Sequence, residues 1–159
     1  MSFDAVLELS SLDGTTGFQI NGEAAIDFSG LSVASAGDIN GDGIDDLIIG
    51  ASFADPNGSS SGASYVVFGR TTGFAANLYL STLDGTTGFQ INGETGGDYS
   101  GISVASAGDV NGDGIDDLII GAYGADPNGY SSGASYVVFG RTTGFAANLN
   151  LSTLDGTTG

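Results

Sequence analysis

Asp38-Ile39-Asn40-Gly41-Asp42-Gly43-Ile44-Asp45-Asp46 runs straight into the apolar stretch Leu47-Ile48-Ile49-Gly50-Ala51. The same passage returns as Asp109-Val110-Asn111-Gly112-Asp113-Gly114-Ile115-Asp116-Asp117, followed by Leu118-Ile119-Ile120-Gly121-Ala122. Both loops have the form D-x-N-x-D-G-x-D-D. Side-chain oxygens at positions 1, 3 and 5, with a glycine at 6 for a sharp turn, suit a hard cation, above all calcium. The short apolar run behind each loop reads as a buried strand.

The spacing between the two passages holds along the chain. Asp109 follows Asp38 by 71 residues, Leu83 follows Leu12 by 71, and Leu154 follows Leu83 by 71. Residues 3–73 and 74–144 align without a gap as two repeats, and residues 145–159 begin a third copy. Such a period marks a repeat architecture, in which each unit is one supersecondary element that cannot bury its core alone.

Within a repeat the signals are those of strands. Gly17-Phe18-Gln19-Ile20-Asn21-Gly22 and Leu31-Ser32-Val33-Ala34-Ser35-Ala36 alternate, and Ala63-Ser64-Tyr65-Val66-Val67-Phe68-Gly69 is rich in β-formers. Clusters of Gly, Asn, Asp and Ser separate them, including the turn Asp55-Pro56-Asn57-Gly58. No stretch carries a sustained, capped helical period. Four short antiparallel strands per repeat are the content of one propeller blade, so the expected fold is all-β with two blade equivalents. Strand A falls near 32–37, B near 46–51, C near 63–69 and D near 88–93, and the chain reads D-A-B-C-D-A-B-C. Val33, Ala34 and Ala36 suit an innermost strand near a crowded axis. The 29 glycines serve turns and close backbone approach rather than phosphate binding, because no glycine cluster opens a helix.

Nineteen acidic residues stand against two basic ones, Arg70 and Arg141, for a net charge of −17. Nucleic acid and anionic membrane surfaces need a basic face and are excluded as partners. Two divalent ions would bring the charge to about −13. Hydrophobic residues make up 40% of the chain and the mean hydropathy is slightly positive, which argues against disorder. There is no cysteine and hence no disulfide. The opening residues lack the basic start and apolar core of a signal peptide, and no apolar run is long enough to span a membrane. His, Cys and Lys are absent, which removes the usual bases and nucleophiles of an enzyme.

Gly30-Leu31-Ser32-Val33-Ala34, the acidic loop, Asp46-Leu47-Ile48-Ile49-Gly50-Ala51 and Gly62-Ala63-Ser64-Tyr65-Val66-Val67-Phe68 together resemble the FG-GAP repeat family, the blades of integrin α-subunit β-propellers and their bacterial relatives. The second copy repeats them from Gly101 to Phe139. Ser29 and Ser100 stand where the family has the Phe of "FG", and Ser52 and Tyr123 where it has the Pro of "GAP". The resemblance implies an extracellular or cell-surface setting and a ring of about seven blades, where this chain has two. In the first loop the expected calcium ligands are the side chains of Asp38, Asn40, Asp42 and Asp46 and the backbone carbonyl of Ile44. In the second they are Asp109, Asn111, Asp113, Asp117 and the carbonyl of Ile115, giving about two Ca2+ per chain. Asp45 and Asp116 are expected to face solvent or bond to the backbone. An EF-hand needs an acidic ligand at position 12 and a following helix. That position is Ile49 or Ile120, inside a strand run. Magnesium fits less well, because it takes few protein ligands in strict octahedral geometry. A metal-free Asp/Asn/Gly turn would leave three carboxylates repelling one another.

The first D strand has no C strand before it, and the last C strand has no D after it. The expected consequence is head-to-tail assembly of own copies, six blades as a trimer or eight as a tetramer. The leading function is a non-enzymatic, calcium-stabilised propeller module for binding or adhesion, with a protein or glycan ligand. Its ligand face would be the B–C turns, Ser52–Ser61 and Tyr123–Ser132, where Tyr123 and Tyr130 replace Ser52 and Ser59. The alternatives are an engineered or purely structural self-assembling unit and, remotely, a polysaccharide-processing enzyme.

Overall fold

The computed structural model describes residues 6–159. Residues 1–5, where the segment read as lacking a leader begins and the first repeat starts, lie outside the described residues. The strands are β1 (Gln19–Asn21), β2 (Ser32–Gly37), β3 (Asp46–Ala51), β4 (Ala63–Val67), β5 (Asn77–Tyr79), β6 (Gly88–Asn92), β7 (Ser103–Gly108), β8 (Asp117–Ala122), β9 (Ala134–Val138) and β10 (Asn148–Asn150). Single 3₁₀ turns cover Leu9–Ser11, Leu80–Thr82 and Leu151–Thr153.

β2, β3, β4 and β6 form one four-stranded antiparallel blade. Its outer strand β6 comes from the second repeat, as the D-A-B-C-D-A-B-C reading requires. β7, β8 and β9 form the second blade with three strands. β1, the first D strand, lies beside β5 rather than in a blade. Two short strands were not expected. β5 runs parallel to β1, and β10 runs parallel to β6 at the outer edge of the first blade. Asn77-Leu78-Tyr79 and Asn148-Leu149-Asn150 are too short to show a period, and only a neighbouring strand makes them extended.

Alternation sorts the side chains of the first blade onto two faces. Ala36, Ile39, Ile48, Val66, Phe68, Phe89 and Ile91 point to one face and meet Val104, Leu118, Ile120, Val138, Phe145 and Leu151 of the second repeat. This shared layer between the blades is the principal core, closed at its outer end by the Phe89–Phe145 stack with centroids 4.2 Å apart. Ile49, Ala51, Ala63, Tyr65, Val67 and Leu80 point to the opposite face and pack with Ile20, Phe74 and Leu78. Burying the first face takes both repeats, which is the reason a single repeat does not make a domain.

Both arginine guanidinium groups stack on aromatic rings. Arg70 lies over the ring of Phe74 at 4.4 Å and Arg141 over Phe145 at 4.5 Å. No helix among the described residues is long and apolar enough to cross a membrane.

Candidate metal centre

Each acidic loop is the hairpin connection between the first two strands of its blade. A bulge precedes it: Ser35 pairs with Leu47, and the next pair is Gly37 with Asp46. Gly37 has φ of 69° and its counterpart Gly108 of 68°, the left-handed conformation that glycine supplies at such a bulge. The extra residue turns the chain out of the sheet and starts the loop.

The loops fold as successive Asx turns. Asp38 Oδ1 accepts the Asp42 N–H at 2.9 Å and Oδ2 accepts the Gly43 N–H at 2.8 Å. Asn40 Oδ1 accepts the same Asp42 N–H at 2.9 Å, and Asp42 Oδ1 accepts the Ile44 N–H at 2.9 Å. The second loop repeats this. Asp109 accepts from Asp113 and Gly114 at 3.0 and 2.8 Å, Asn111 from Asp113 at 2.9 Å, and Asp113 from Ile115 at 2.9 Å. The oxygens at positions 1 and 3 are thereby held together on one side of the turn.

Asp46 and Asp117 make a different set of bonds. Both are buried, at 1% and 0% exposure. Asp46 accepts the Ile39 N–H at 3.2 Å and the Gly69 N–H at 2.8 Å, and Asp117 accepts Val110 N–H at 2.8 Å and Gly140 N–H at 2.9 Å. Each carboxylate clamps the loop to the end of the third strand of its blade. Burial lifts the Asp46 carboxyl to about 6; the Gly69 and Ile39 hydrogen bonds pull it down, and the nearby charges of Asp42 and Asp38 push it up. Among the described residues no three acidic side chains are gathered closely enough to enclose a metal ion. The donor chemistry nonetheless fits a hard cation. Every candidate is an oxygen, and the carboxylates retain lone pairs beyond those given to backbone N–H groups.

Asp116 has a role that the loop pattern did not reveal. Its Oδ2 accepts the Asp38 N–H at 3.0 Å, so it bonds to backbone as expected, but in the other repeat. Beside it, the Arg141 N–H donates to Ile39 O at 2.9 Å. The acidic loop of the first blade is thus docked on the loop and the following turn of the second.

The antiparallel strand order puts the B–C and D–A connections at the opposite end of the blades. Tyr123 and Tyr130 are exposed there, at 56% and 95%. Phe28, Phe53, Tyr99 and Tyr123 form a continuous row with successive centroids 5.1, 5.3 and 5.1 Å apart. Phe28 and Tyr99 hold φ of 51° and 55°, a costly conformation for a bulky residue. Sequence reading found the tyrosines of the B–C turns and missed Phe28, Phe53 and Tyr99, although residues 28 and 99 are both aromatic at the repeat distance. A depression of about 390 Å³ beside the row is lined by Tyr99, Tyr123, Tyr130 and Asp126. Nearby, Tyr65 donates its hydroxyl to Glu23 at 2.8 Å and Tyr136 to Glu94 at 3.0 Å. Burial, first, and these hydrogen bonds hold both phenols above their ordinary range.

Residues 29–67 and 100–138 each match the FG-GAP repeat. The chain is 38% identical over 126 residues to integrin alpha pat-2 of Caenorhabditis elegans, covering 74% of this chain and 10% of that protein. It is 31% identical over 132 residues to integrin alpha-PS2 of Drosophila melanogaster, covering 80% of this chain and 9% of that one. Integrin alpha-5 of Xenopus laevis is 32% identical over 97 residues, or 61% of this chain and 9% of the relative. The chain spans a tenth or less of the length of these relatives.

Proposed function

We propose, on the premise that this chain carries two FG-GAP repeats of the integrin-alpha type, that it is a calcium-stabilised, non-enzymatic β-propeller module for binding or adhesion. The observation that carries the reading is the duplicated loop: the same oxygens occupy the same turn positions in both blades. Asp38, Asn40, Asp42 and Asp46 with the Ile44 carbonyl would hold one Ca2+, and Asp109, Asn111, Asp113 and Asp117 with the Ile115 carbonyl a second. When bound, the ion would supply positive charge to the loop carboxylates and draw their free lone pairs toward one point. The loop residues hold the turn and fix it to the blade through the Asp46 and Asp117 clamps. The aromatic row at the opposite end supports a protein or glycan ligand, because rigid exposed aromatics anchor partners. The setting is extracellular or cell-surface, where calcium is plentiful. Copies assemble head-to-tail, three or four to a ring.

Thermal unfolding tests the calcium reading. At free calcium 100-fold above the dissociation constant each site adds about 2.7 kcal/mol. A chelator therefore lowers the melting temperature and calcium restores it; identical curves under both conditions remove calcium from the account. A second reading, a scaffold with no external ligand, is favoured by the near identity of the two repeats. A binding screen against glycans and matrix proteins separates them, since a scaffold gives no hit and loses nothing when Tyr123 and Tyr130 are changed to Ser.

A further inference from the structure

Positions one repeat apart have the same chemistry and very different exposure. Val104 and Leu118 are 6% and 0% exposed against the first blade, while Val33 and Leu47 are 65% and 39% exposed on the first blade's outer face. The pattern reverses on the other side of the interface. Ile39 and Ile48 are both 0% exposed against the second blade, while Val110 and Ile119 are 56% and 39% exposed on the second blade's outer face. The chain therefore displays one further copy of each half of the interface that joins its own blades, the first blade's half covered by the segments of β1 and β5 at Ile49, Tyr65 and Val67 and open at Val33 and Leu47.

The glycines carry the same message independently. A Cβ at Gly50 would run into the Gly101 carbonyl, and one at Gly37 into the Asp116 side chain, so the first blade needs both glycines to seat the second. At Gly121 the nearest atom to such a Cβ belongs to Ser103 of the same blade at 3.5 Å, and at Gly108 there is none within 4 Å. The second blade keeps the clearance without using it.

We propose that a second copy of this chain docks head-to-tail on that surface, its first blade against the outer face of the second blade; this names the contact on which the assembly reading above depends. Val33 and Leu47 of the incoming copy cover Val110 and Ile119. The carboxylate of its Asp45 takes the Asp109 N–H, as Asp116 takes that of Asp38 within the chain at 3.0 Å. The N–H of its Val33 meets Ser103 Oγ, as Val104 meets Ser32 Oγ at 3.1 Å. Its β1 lies along β9 in the register that β6 keeps with β4, with Gln19 opposite Tyr136 where Gln90 is opposite Tyr65. One segment gives way. Leu9 is 75% exposed, while Leu80 and Leu151 at the equivalent positions are 2% and 1% exposed. The Leu151 turn of the receiving copy already holds the place that the incoming Leu9 turn would take.

Light scattering on the full chain in calcium tests this. The wild type is expected at a multiple of 15.7 kDa. Val33→Glu and Ile119→Glu, at exposed positions, are each expected as folded monomers by circular dichroism. Because each variant spoils a different half, a 1:1 mixture is expected to give a dimer and nothing larger. Gly121→Ala, whose methyl fits the isolated blade but meets the incoming Gly30 carbonyl, is expected to weaken association by roughly tenfold or more without lowering the monomer's melting temperature. A monomeric wild type overturns the assembly reading and this contact together. An oligomer that survives V33E or I119E overturns the contact alone, as does a mixture that stays monomeric.

Discussion

Leu118→Ala and Leu47→Ala are the same substitution at the same point of two identical strands, and they are expected to differ sharply. Leu118 opposes Val138 and Leu47 opposes Val67, so the cross-strand neighbours match. The difference is cover: Leu118 is 0% exposed between the blades and Leu47 is 39% exposed. Truncating a fully buried leucine costs roughly 2–5 kcal/mol, part of it for the cavity left behind. At Leu47 water fills the space and only part of the side chain leaves an apolar contact, so the cost is about 1–1.5 kcal/mol. For a domain of this size 1 kcal/mol moves the melting temperature by about 2–4 °C. L118A therefore lowers it by roughly 4–20 °C and L47A by roughly 2–6 °C, L118A losing the more under any one conversion. The assay is thermal and urea unfolding of both variants, diluted until the chain is monomeric, with the urea slope checked for constancy. Equal losses at that dilution would mean that both faces are covered alike, contrary to the exposures of Leu47 and Leu118. Raising the concentration is expected to increase the L47A penalty and leave that of L118A unchanged.

Asp117→Asn, measured in chelator, removes charge-assisted bonds to the Val110 and Gly140 N–H groups and costs roughly 1.5–3 kcal/mol in urea unfolding; an unchanged midpoint contradicts the clamp. Phe145→Ala breaks the stack on Phe89 and exposes the outer end of the interblade core, with an expected loss of roughly 3–5 kcal/mol by the same measurement; a loss below that of L47A contradicts its place in the core. Asp84 is held to about 2 by the Thr86 hydroxyl and the Thr86 and Thr87 N–H groups. Its folded value is depressed, so its contribution is present above the ordinary carboxylate range near 3.8 and is lost as pH falls through about 2. Asp84→Asn is expected to flatten stability against pH in that window, and an acid-unfolding profile identical to the wild type's contradicts it.

The strands that form blades were legible because their alternation survives in local sequence. Asp46–Ala51 and Asp117–Ala122 are the apolar runs with the one aspartate that precedes each. β5 and β10 were not legible, because three residues of Asn-Leu-Tyr or Asn-Leu-Asn carry no period and depend on β1 and β6. Sequence marked the loop oxygens and could not show how they divide. Positions 1, 3 and 5 stabilise the turn, while Asp46 and Asp117 reach the end of a distant strand. The bond from Asp116 to Asp38 spans 78 positions and is invisible to a motif. Val33 was read as a residue of a crowded inner strand. It is exposed at 65% while its copy Val104 is buried, since burial here belongs to the neighbouring blade rather than to the residue.

Calorimetric titration of calcium into chelator-stripped chain shows whether the duplicated loop is a duplicated calcium site. Two ions per chain are expected, one per chain for Asp38→Ala or Asp109→Ala alone, and none for the double variant. Binding that persists in the double variant, or no binding heat in the wild type at millimolar calcium, would contradict that expectation.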